Sequence, residues 1–186
     1  MIVAIAGFAG SGKTTLGTAL AKRLGYALVA PTFKDLANRE GISLDEFQKK
    51  AERDKNIDLK FDEYLKAEAK KGNCVVTTWL GPWMVDADLR VWLYAPLEVR
   101  AKRVSGRDNF SAKEAAEHIK RREDGNRARY LKLYGIDIFE TSSFDICLNS
   151  ENFSPEEMAE MLARALEIKG KKGNSAKKEA GGFRTK

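Results

Sequence analysis

The segment Gly7-Phe-Ala-Gly-Ser-Gly-Lys13-Thr14 has residue types and a spacing that suit the binding of a polyphosphate. It fits the pattern G-x-x-x-x-G-K-[ST], in which glycines let successive backbone N–H groups point at phosphate oxygens. The lysine of this pattern reaches the β- and γ-phosphates, and the following hydroxyl is offered to Mg²⁺. We therefore predict that ATP binds at Gly7, Gly10, Ser11, Gly12, Lys13, Thr14 and Thr15, with Thr14 as the Mg²⁺ ligand.

The elements on either side of this loop fit the same function. Residues 2–6 form a short apolar run, which is typical of a strand covered on both faces. Leu16, Leu20 and Leu24 recur at four-residue spacing and predict a helix that Gly25 closes. The positive end of that helix attracts phosphate. A dinucleotide loop is excluded because G-x-G-x-x-G is absent.

A second group of candidate residues is cationic. Residues 100–129 contain ten Lys or Arg and five acids. Phosphoryl transfer needs cations that neutralise phosphate charge, although charged helix faces are also commonly only solvated. The candidates lie on two predicted helices and the turn between them, and they are Arg100, Arg103, Arg107, Arg122 and Arg129, with Asn126 on the same face as the last two.

These candidates need a scaffold, and the chain alternates strands with helices along its length. Further strands are predicted at 26–30, 73–77, 89–94 and 144–148, and helical segments at 32–71, 96–105, 111–134 and 155–168. Such alternation predicts an α/β fold with a parallel sheet and helices on both faces. Ligands then bind beyond the carboxyl ends of the strands, where the phosphate loop lies.

Length and composition favour one domain at 1–168. The 186 residues carry a net charge of +6, and residues 169–186 account for all of it. We expect this Lys- and Gly-rich tail to be disordered and solubilising, with nucleic acid or a partner bound only through it. No long apolar stretch or signal peptide is visible, so we expect a cytoplasmic protein away from membranes. We also expect it to be a monomer.

The cysteines and the histidine argue against a metal centre built from these residue types. Cys74 and Cys147 both lie in apolar, strand-like stretches, and we expect two buried, reduced thiols. His118 is the only histidine, which excludes a cluster of Cys and His ligands.

With these motifs in place, the chain resembles the archaeal-type cytidylate kinases, within the nucleoside monophosphate kinases. The resemblance covers almost all of residues 1–168. It rests on GSGKTT at 10–15, LANREGISLDEFQKKAE at 36–52, DLRVWLYAPLEVRAKR at 88–103, RREDGNRARYLKLYGIDI at 121–138 and FDICLNS at 144–150, and on the paired acids of Ile57-Asp58 and Phe61-Asp62.

The resemblance implies a five-stranded parallel sheet, an acceptor-binding helical segment at about 32–71 and a lid at about 105–115. It also implies transfer of the γ-phosphate of ATP to CMP or dCMP, with Mg²⁺. Lys13, Arg103, Arg107 and Arg122 become the catalytic candidates, and Lys34, Trp79, Asn126 and Arg129 the acceptor-binding candidates.

Two segments depart from the family pattern, and both belong to the acceptor side. Lys34 replaces an arginine, which keeps the charge but loses the bidentate geometry toward phosphate. Thr77-Thr78-Trp79-Leu80 stands where the family has Glu-Gly-Arg-Leu, so a carboxylate and an arginine are lost. The donor half is therefore intact and the acceptor half is altered.

Alternatives therefore stay open at this point. The acceptor could be another monophosphate or a small phosphorylated metabolite, or the protein could bind nucleotide without transfer and contact RNA or a partner through its tail. We expect Trp79 and Trp83 to pack under the helices of 32–71, with stacking on the acceptor base as the alternative. Asp54, Asp58 and Asp62 recur at four-residue spacing, and we expect them to form a solvated face, with receipt of the amino group of a cytosine as the alternative.

Overall fold

A computed structural model describes residues 1–43, 46–47, 50–51, 54–108 and 110–181 of the chain. The side chains of Lys34, Asp35, Arg39, Lys55 and residues 172–181 lie outside the described part.

A five-stranded, all-parallel sheet forms the centre of the protein, as predicted. Its strands are β1 (Ile2–Gly7), β2 (Ala27–Val29), β3 (Cys74–Val76), β4 (Leu89–Tyr94) and β5 (Ile146–Asn149). They are ordered β2-β3-β1-β4-β5 across the sheet. Ala4 is in register with Val76 on one side and Arg90 on the other, which places β1 in the middle. The loop that follows β1 therefore emerges at the centre of the carboxyl edge.

Helices cover both faces of this sheet, which confirms the predicted fold class. They are α1 (Lys13–Leu24), α2 (Phe33–Glu40), α3 (Lys55–Lys70), α4 (Gly81–Met84), α5 (Leu97–Asp108), α6 (Ala112–Tyr134) and α7 (Pro155–Gly181). Residues 46–47 and 50–51 are also helical, and a capping box precedes them, because the Glu46 N–H donates to Ser43 Oγ at 3.2 Å and the Ser43 N–H donates to Glu46 Oε2 at 2.9 Å.

The alternation of side chains along β1 divides the core into two halves. Val3 and Ile5 point to one face, where Leu16 of α1 and Leu162 of α7 cover them. Ala4 points to the other face and packs against a cluster that includes Leu65 of α3. The phosphate loop is thus anchored between a fully buried strand and a helix that is packed along its length.

Two expectations about the C-terminal part are corrected. The last helix does not end near Ile168 but continues to Gly181, so the expected disorder from Lys169 onward is wrong for this stretch. Lys169 Nζ binds Asp145 Oδ1 at 2.7 Å, and Gly170 lies against Met1, which extends the packed part of the helix.

The two thiols differ in their surroundings. Cys74 is buried in β3, whereas Cys147 is exposed, because it lies in β5 at the edge of the sheet. The expectation of two buried thiols is therefore wrong for Cys147. Within the described ranges, no helix combines the length and the hydropathy needed to cross a membrane.

Candidate functional site

The backbone of the phosphate loop requires glycine at the end of β1. Gly7 has φ 152°, and a Cβ there would lie 1.9 Å from the Leu93 carbonyl oxygen of β4. A side chain is therefore excluded where the loop leaves the sheet. Gly12, at φ 93°, immediately precedes α1, so the loop runs straight into the positive end of that helix.

Lys13 folds back over the loop. Its Nζ donates to the carbonyl oxygens of Gly7 at 2.9 Å and Phe8 at 2.8 Å. The indole of Trp79 covers the same ammonium, with 4.9 Å between Nζ and the ring centroid. Burial, together with the positive charges of Arg122 and Arg100, lowers the pKa of Lys13 to about 7, although the negative charge of Glu123 partly opposes the shift. The lysine is thus held at the loop by groups that do not neutralise its charge.

A buried ion pair holds the first turn of the loop. Arg100 of α5 and Glu123 of α6 are 6% and 7% exposed, and Arg100 NH1 lies 2.5 Å from Glu123 Oε1. The same carboxylate oxygen accepts the Ala9 N–H at 3.0 Å, and Arg100 NH1 donates to the Ala9 carbonyl at 3.0 Å. Arg100 Nε also donates to the carbonyl of Ala95 at 2.9 Å. Both polar groups of Ala9 are therefore bound by one charged pair.

Lys13 is connected to this pair through a single peptide group. The peptide between Phe8 and Ala9 donates its N–H to Glu123 and accepts from Lys13 at its carbonyl oxygen. Arg100 stacks on the Phe8 ring at 4.8 Å. The orientation of this peptide, and with it the position of the Lys13 ammonium, depends on the two buried charges.

The predicted arginines of α5 occupy two different environments. Arg103 donates to Ser150 Oγ at 2.9 Å and to the Ser150 carbonyl at 2.8 Å, and Ser150 Oγ in turn donates to the Ser11 carbonyl at 2.8 Å. Arg107 is exposed and pairs with the adjacent Asp108 at 2.6 Å. The structure therefore brings Arg103 to the phosphate loop but leaves Arg107 at the surface.

Hydroxyl groups gather around the end of the loop. Thr14 and Thr15 are exposed at the start of α1. The hydroxyls of Ser11, Thr77 and Thr78 are buried and have no hydrogen-bond partner within the described part of the chain. Buried hydroxyls without partners are costly, so these groups fit a site that a polar ligand completes.

The acceptor-side candidates lie mainly between α3 and α6. The guanidinium of Arg129 lies over the rings of Phe33 and Tyr130 at 5.0 and 4.9 Å, and its NH2 is 3.7 Å from Asp58 Oδ1. Asn126 is half-buried on α6, one turn from Arg129. Lys34 lies on α2, and its side chain is outside the described part.

The acidic stripe of α3 is not a solvated face. Asp58 and Asp62 are each 5% exposed, and Tyr134 donates to Asp62 Oδ2 at 2.5 Å. Asp54 serves instead as the N-cap of α3, since its Oδ1 accepts the Asn56 N–H at 3.0 Å. The preference for a solvated stripe is therefore wrong for Asp58 and Asp62.

A cavity of about 500 Å³ lies between the end of β2, α2 and α3. Phe61 lines it and also packs edge-to-face on Phe33, at 5.6 Å between ring centroids. The cavity therefore adjoins the rings that surround Arg129.

Trp79 lies beside the donor loop. It packs against the cluster that contains Ala9 of the loop and Ala101 and Val104 of α5. The expectation that it packs under the helices of 32–71 is corrected, because the indole instead lies against Lys13 and against the clusters that contain Ala101 of α5 and Tyr130 of α6. Trp83 packs edge-to-face on Phe144, at 5.2 Å between ring centroids.

Glu123 is a functional residue that was not predicted from the sequence, and Arg100 was predicted only as a candidate cation and not as half of a buried pair. A signal was present in both helices. Glu123 continues the buried stripe of Ala115 and Ile119 at four-residue spacing, and Arg100 lies in a stripe with Ala101 and Val104. Opposite charges in two apolar stripes indicate a buried pair.

The fold and the loop together define a P-loop kinase. The fold is similar to that of shikimate kinase from Acinetobacter baumannii in complex with shikimate, with a TM-score of 0.60 and 15% identity over 90% of this chain and 93% of that chain. It is also similar to deoxyadenosine kinase from M. mycoides with bound dCTP, with a TM-score of 0.51 and 15% identity over 90% of this chain and 100% of that chain.

Sequence comparison identifies the family. The chain is 41% identical over 187 aligned positions to a cytidylate kinase of Pyrococcus horikoshii, covering 97% of both chains. It is 38% identical to a cytidylate kinase of Thermococcus kodakarensis, covering 96% of this chain and 94% of the relative. The Cytidylate kinase-like family matches residues 2–152, and the chain belongs to that family. The resemblance inferred from the motifs is therefore confirmed.

Replacing Glu123 by Gln should weaken ATP binding and lower stability together. The variant keeps an acceptor for the Ala9 N–H but leaves the Arg100 charge buried without a partner, which costs about 3–5 kcal/mol when a buried pair is broken. Thermal unfolding and calorimetric titration with ATP measure the two effects. Glu117→Gln, at an exposed position of the same helix, is the matched control and should change neither.

A double variant separates stability from loop positioning. Arg100→Met with Glu123→Leu removes both charges and should recover much of the stability, since apolar replacement of a buried pair is commonly neutral. ATP affinity should stay low, because Ala9 has lost its partners. Full recovery of ATP affinity would contradict the positioning role.

The lowered pKa of Lys13 predicts that ATP binding takes up a proton above pH 7. The free lysine is then mostly neutral, and the triphosphate favours its charged form. Calorimetry at pH 8 in two buffers of different ionisation enthalpy should show uptake of most of one proton per ATP. Lys13→Arg, which stays charged, should show clearly less, and equal uptake in both proteins would contradict the assignment.

Proposed function

We propose that the protein transfers the γ-phosphate of ATP to CMP or dCMP. The observation that carries the proposal is that α6 contacts both halves of the site. Glu123 binds the phosphate loop, and Arg129, less than two turns further along, lies among the acceptor-side rings. The relatives in which α6 and the loop are matched are named as cytidylate kinases, which supports the choice of acceptor.

The donor phosphates are bound by the loop in this proposal. The residues that bind them are Gly7, Gly10, Ser11, Gly12, Lys13, Thr14 and Thr15. Lys13, Arg103, Arg107 and Arg122 are the cations assigned to catalysis. Arg103 already contacts the loop region through Ser150, whereas Arg107 must leave Asp108 when the segment at about 105–115 closes as a lid.

The protein residues near the phosphate loop are suited to a Mg²⁺ ion that is bound mainly by the phosphates of the substrate. No group of three or more Cys, His, Asp or Glu able to hold a metal occurs among the described residues. Mg²⁺ commonly binds through substrate phosphates and water with few protein ligands, so the exposed hydroxyl of Thr14 fits this role. When bound, the ion neutralises charge on the β- and γ-phosphates.

The reaction needs positioning rather than a covalent intermediate. A phosphate oxygen of the acceptor attacks the γ-phosphorus as the bond from that phosphorus to the β–γ bridging oxygen breaks, and ADP leaves. Lys13 and the arginines reduce the charge repulsion between the two nucleotides and stabilise the transferring group. Exclusion of water when the segment at about 105–115 closes over the substrates strengthens the effect.

The acceptor is bound by Lys34, Trp79, Asn126 and Arg129 in this proposal. Trp79 lies at the boundary between the donor and the acceptor halves of the site, because its indole covers Lys13. It belongs to the segment Thr77-Thr78-Trp79-Leu80, where the family pattern has Glu-Gly-Arg-Leu. Residues 1–168 form the kinase domain, with the acceptor-binding segment at about 32–71. A monomer suffices, because one chain supplies both halves of the site.

The direct test is an acceptor panel with ATP, Mg²⁺ and each common nucleoside monophosphate in turn, with diphosphate formation followed by chromatography. CMP and dCMP should be converted most efficiently, and Lys13→Ala should abolish the conversion with the fold retained. Turnover of another monophosphate but not CMP would show that the altered segments at 30–34 and 77–83 change the acceptor. No turnover across the panel, with ATP still bound, would contradict transfer.

The same panel on a chain that ends at Lys171 tests the role of the basic tail. This end point removes the last turns of α7 but retains the Lys169–Asp145 pair and the contact of Gly170 with Met1, which are the described packing contacts of that end of the helix. Turnover should be unchanged for a kinase. A protein that acts through its tail would instead lose a salt-sensitive affinity for RNA.

A further inference from the structure

Ser150 follows directly after β5 and is buried beside the phosphate loop. It is 6% exposed. Its N–H donates to the carbonyl oxygen of Tyr94, the last residue of β4, at 2.9 Å, so the end of the sheet fixes its backbone. Serine is mostly exposed in folded proteins, and a buried hydroxyl is costly unless it is hydrogen-bonded. The partners of this hydroxyl therefore indicate what the residue does.

The hydroxyl of Ser150 links α5 to the phosphate loop. Its Oγ accepts a hydrogen bond from Arg103 NH1 at 2.9 Å and donates to the carbonyl oxygen of Ser11 at 2.8 Å. Arg103 NH1 itself approaches the Ser11 carbonyl only to 3.5 Å, so the hydroxyl provides the shorter connection. The Ser150 carbonyl also accepts from Arg103 NH2 at 2.8 Å. One serine thus binds two nitrogens of the same guanidinium.

The bond to the Ser11 carbonyl orients the peptide group between Ser11 and Gly12. This peptide is trans and planar, so its C=O and its N–H point in opposite directions. The N–H of Gly12 therefore points away from Ser150. In loops of this type the backbone N–H groups bind phosphate oxygens. Ser150 consequently fixes the direction of one of these donors.

Arg103 keeps donors for the phosphates while Ser150 holds it. A guanidinium has five N–H groups in a rigid fork, and the bonds to Ser150 and Ser11 use at most three of them. Arg103 as a whole remains exposed on α5. A long side chain that is already held by one edge loses less conformational freedom when a ligand binds its other edge.

We propose that Ser150 is a positioning residue for phosphoryl transfer, an assignment that rests on the proposed function. Its hydroxyl joins the Arg103 guanidinium to the backbone of the phosphate loop, so the loop N–H groups and this cation meet the donor phosphates in a preorganised arrangement. Without the hydroxyl, the Ser11 carbonyl and Arg103 NH1 each lose a hydrogen bond. The loop peptide and the guanidinium must then be ordered when ATP binds, which lowers the affinity.

The test is a double-mutant cycle on the binding of ATP with Mg²⁺, measured by calorimetry. Ser150→Ala and Arg103→Ala should each raise the Kd for ATP at least about fivefold, which corresponds to about 1 kcal/mol. In the Arg103→Ala background, Ser150→Ala should raise the Kd by no more than about twofold, because the hydroxyl then orients only the loop peptide. Additive effects, or a folded Ser150→Ala protein with an unchanged Kd, would overturn the proposal.

Ser154→Ala is the matched control for a loss of stability alone. Ser154 caps α7, since its Oγ accepts the N–H of Glu157 at 3.2 Å. Removal of this cap should lower the thermal stability and leave the Kd for ATP unchanged. Equal losses of ATP affinity in Ser150→Ala and Ser154→Ala would attribute the effect to stability and would also overturn the positioning role.

Arg103→Lys tests the same contact from an exposed position, where the fold is not at risk. Lysine keeps the charge, but a single ammonium lacks the planar fork with which Arg103 binds both oxygens of Ser150. The Kd for ATP should rise at least about fivefold in this variant. An unchanged Kd would show that the fork is not needed and would contradict the proposal.

Phosphoryl transfer is followed separately, so that the two proposals fail in distinguishable ways. With CMP as the acceptor, Ser150→Ala should lower kcat at least about tenfold and change the KM for CMP much less, because Ser150 lies on the donor side. If the unmodified protein converts CMP but kcat and the binding cycle do not show these effects, only the role of Ser150 is overturned. If it binds ATP and converts no CMP, the proposed function is contradicted, while the binding cycle still tests Ser150.

Discussion

The pairing of Arg100 with Glu123 is the interaction on which the rest of the site depends. Removing two charges from water is costly, and a buried pair often contributes little net stability over apolar residues. In this protein the role of the pair is to fix the position of the phosphate loop. Glu123 and Arg100 together bind the N–H and the carbonyl of Ala9, and the peptide that precedes Ala9 binds Lys13. Arg100 and Glu123 therefore set the position of the Lys13 ammonium, the predicted phosphate ligand, without having to contact the phosphates themselves.

In the proposed function, the two substrates share one structural element. Helix α6 contributes Glu123 to the phosphate loop and Arg129 to the acceptor side, and a rigid helix fixes the distance between them. Transfer between two bound nucleotides depends on this distance, since reacting groups must be held in line. The alteration of the acceptor segments can therefore change which monophosphate fits without moving the donor loop.

Local patterns were sufficient to predict the framework. The leucine spacing of α1 and the P-loop motif each depend on residues close together in the chain, and the structure has a helix at the first and a glycine loop that enters this helix at the second. The parallel sheet followed from the alternation of these elements. Helix ends were less predictable, because α7 continues past Ile168 to Gly181, and the contact of Lys169 with Asp145 joins residues that are far apart in the chain.

Side-chain environments in the site depended on contacts between distant segments. Asp58 belongs to a polar stripe that sequence alone assigns to solvent, and only the packing of α6 against it buries the carboxylate. Trp79 was expected near the acceptor helices, but the space beside Lys13 is formed by α5. Such placements are set by three-dimensional packing, and a single sequence carries little information about them.

The central claim is that one cleft holds both nucleotides on either side of the loop positioned by Arg100 and Glu123. The most direct test is calorimetric titration with adenosine and cytidine joined 5′ to 5′ through five phosphates, which spans the donor and acceptor positions. The account predicts one molecule bound per chain, more tightly than ATP, and competition by ATP and by CMP separately. Binding that ATP displaces and CMP does not affect would contradict a shared cleft.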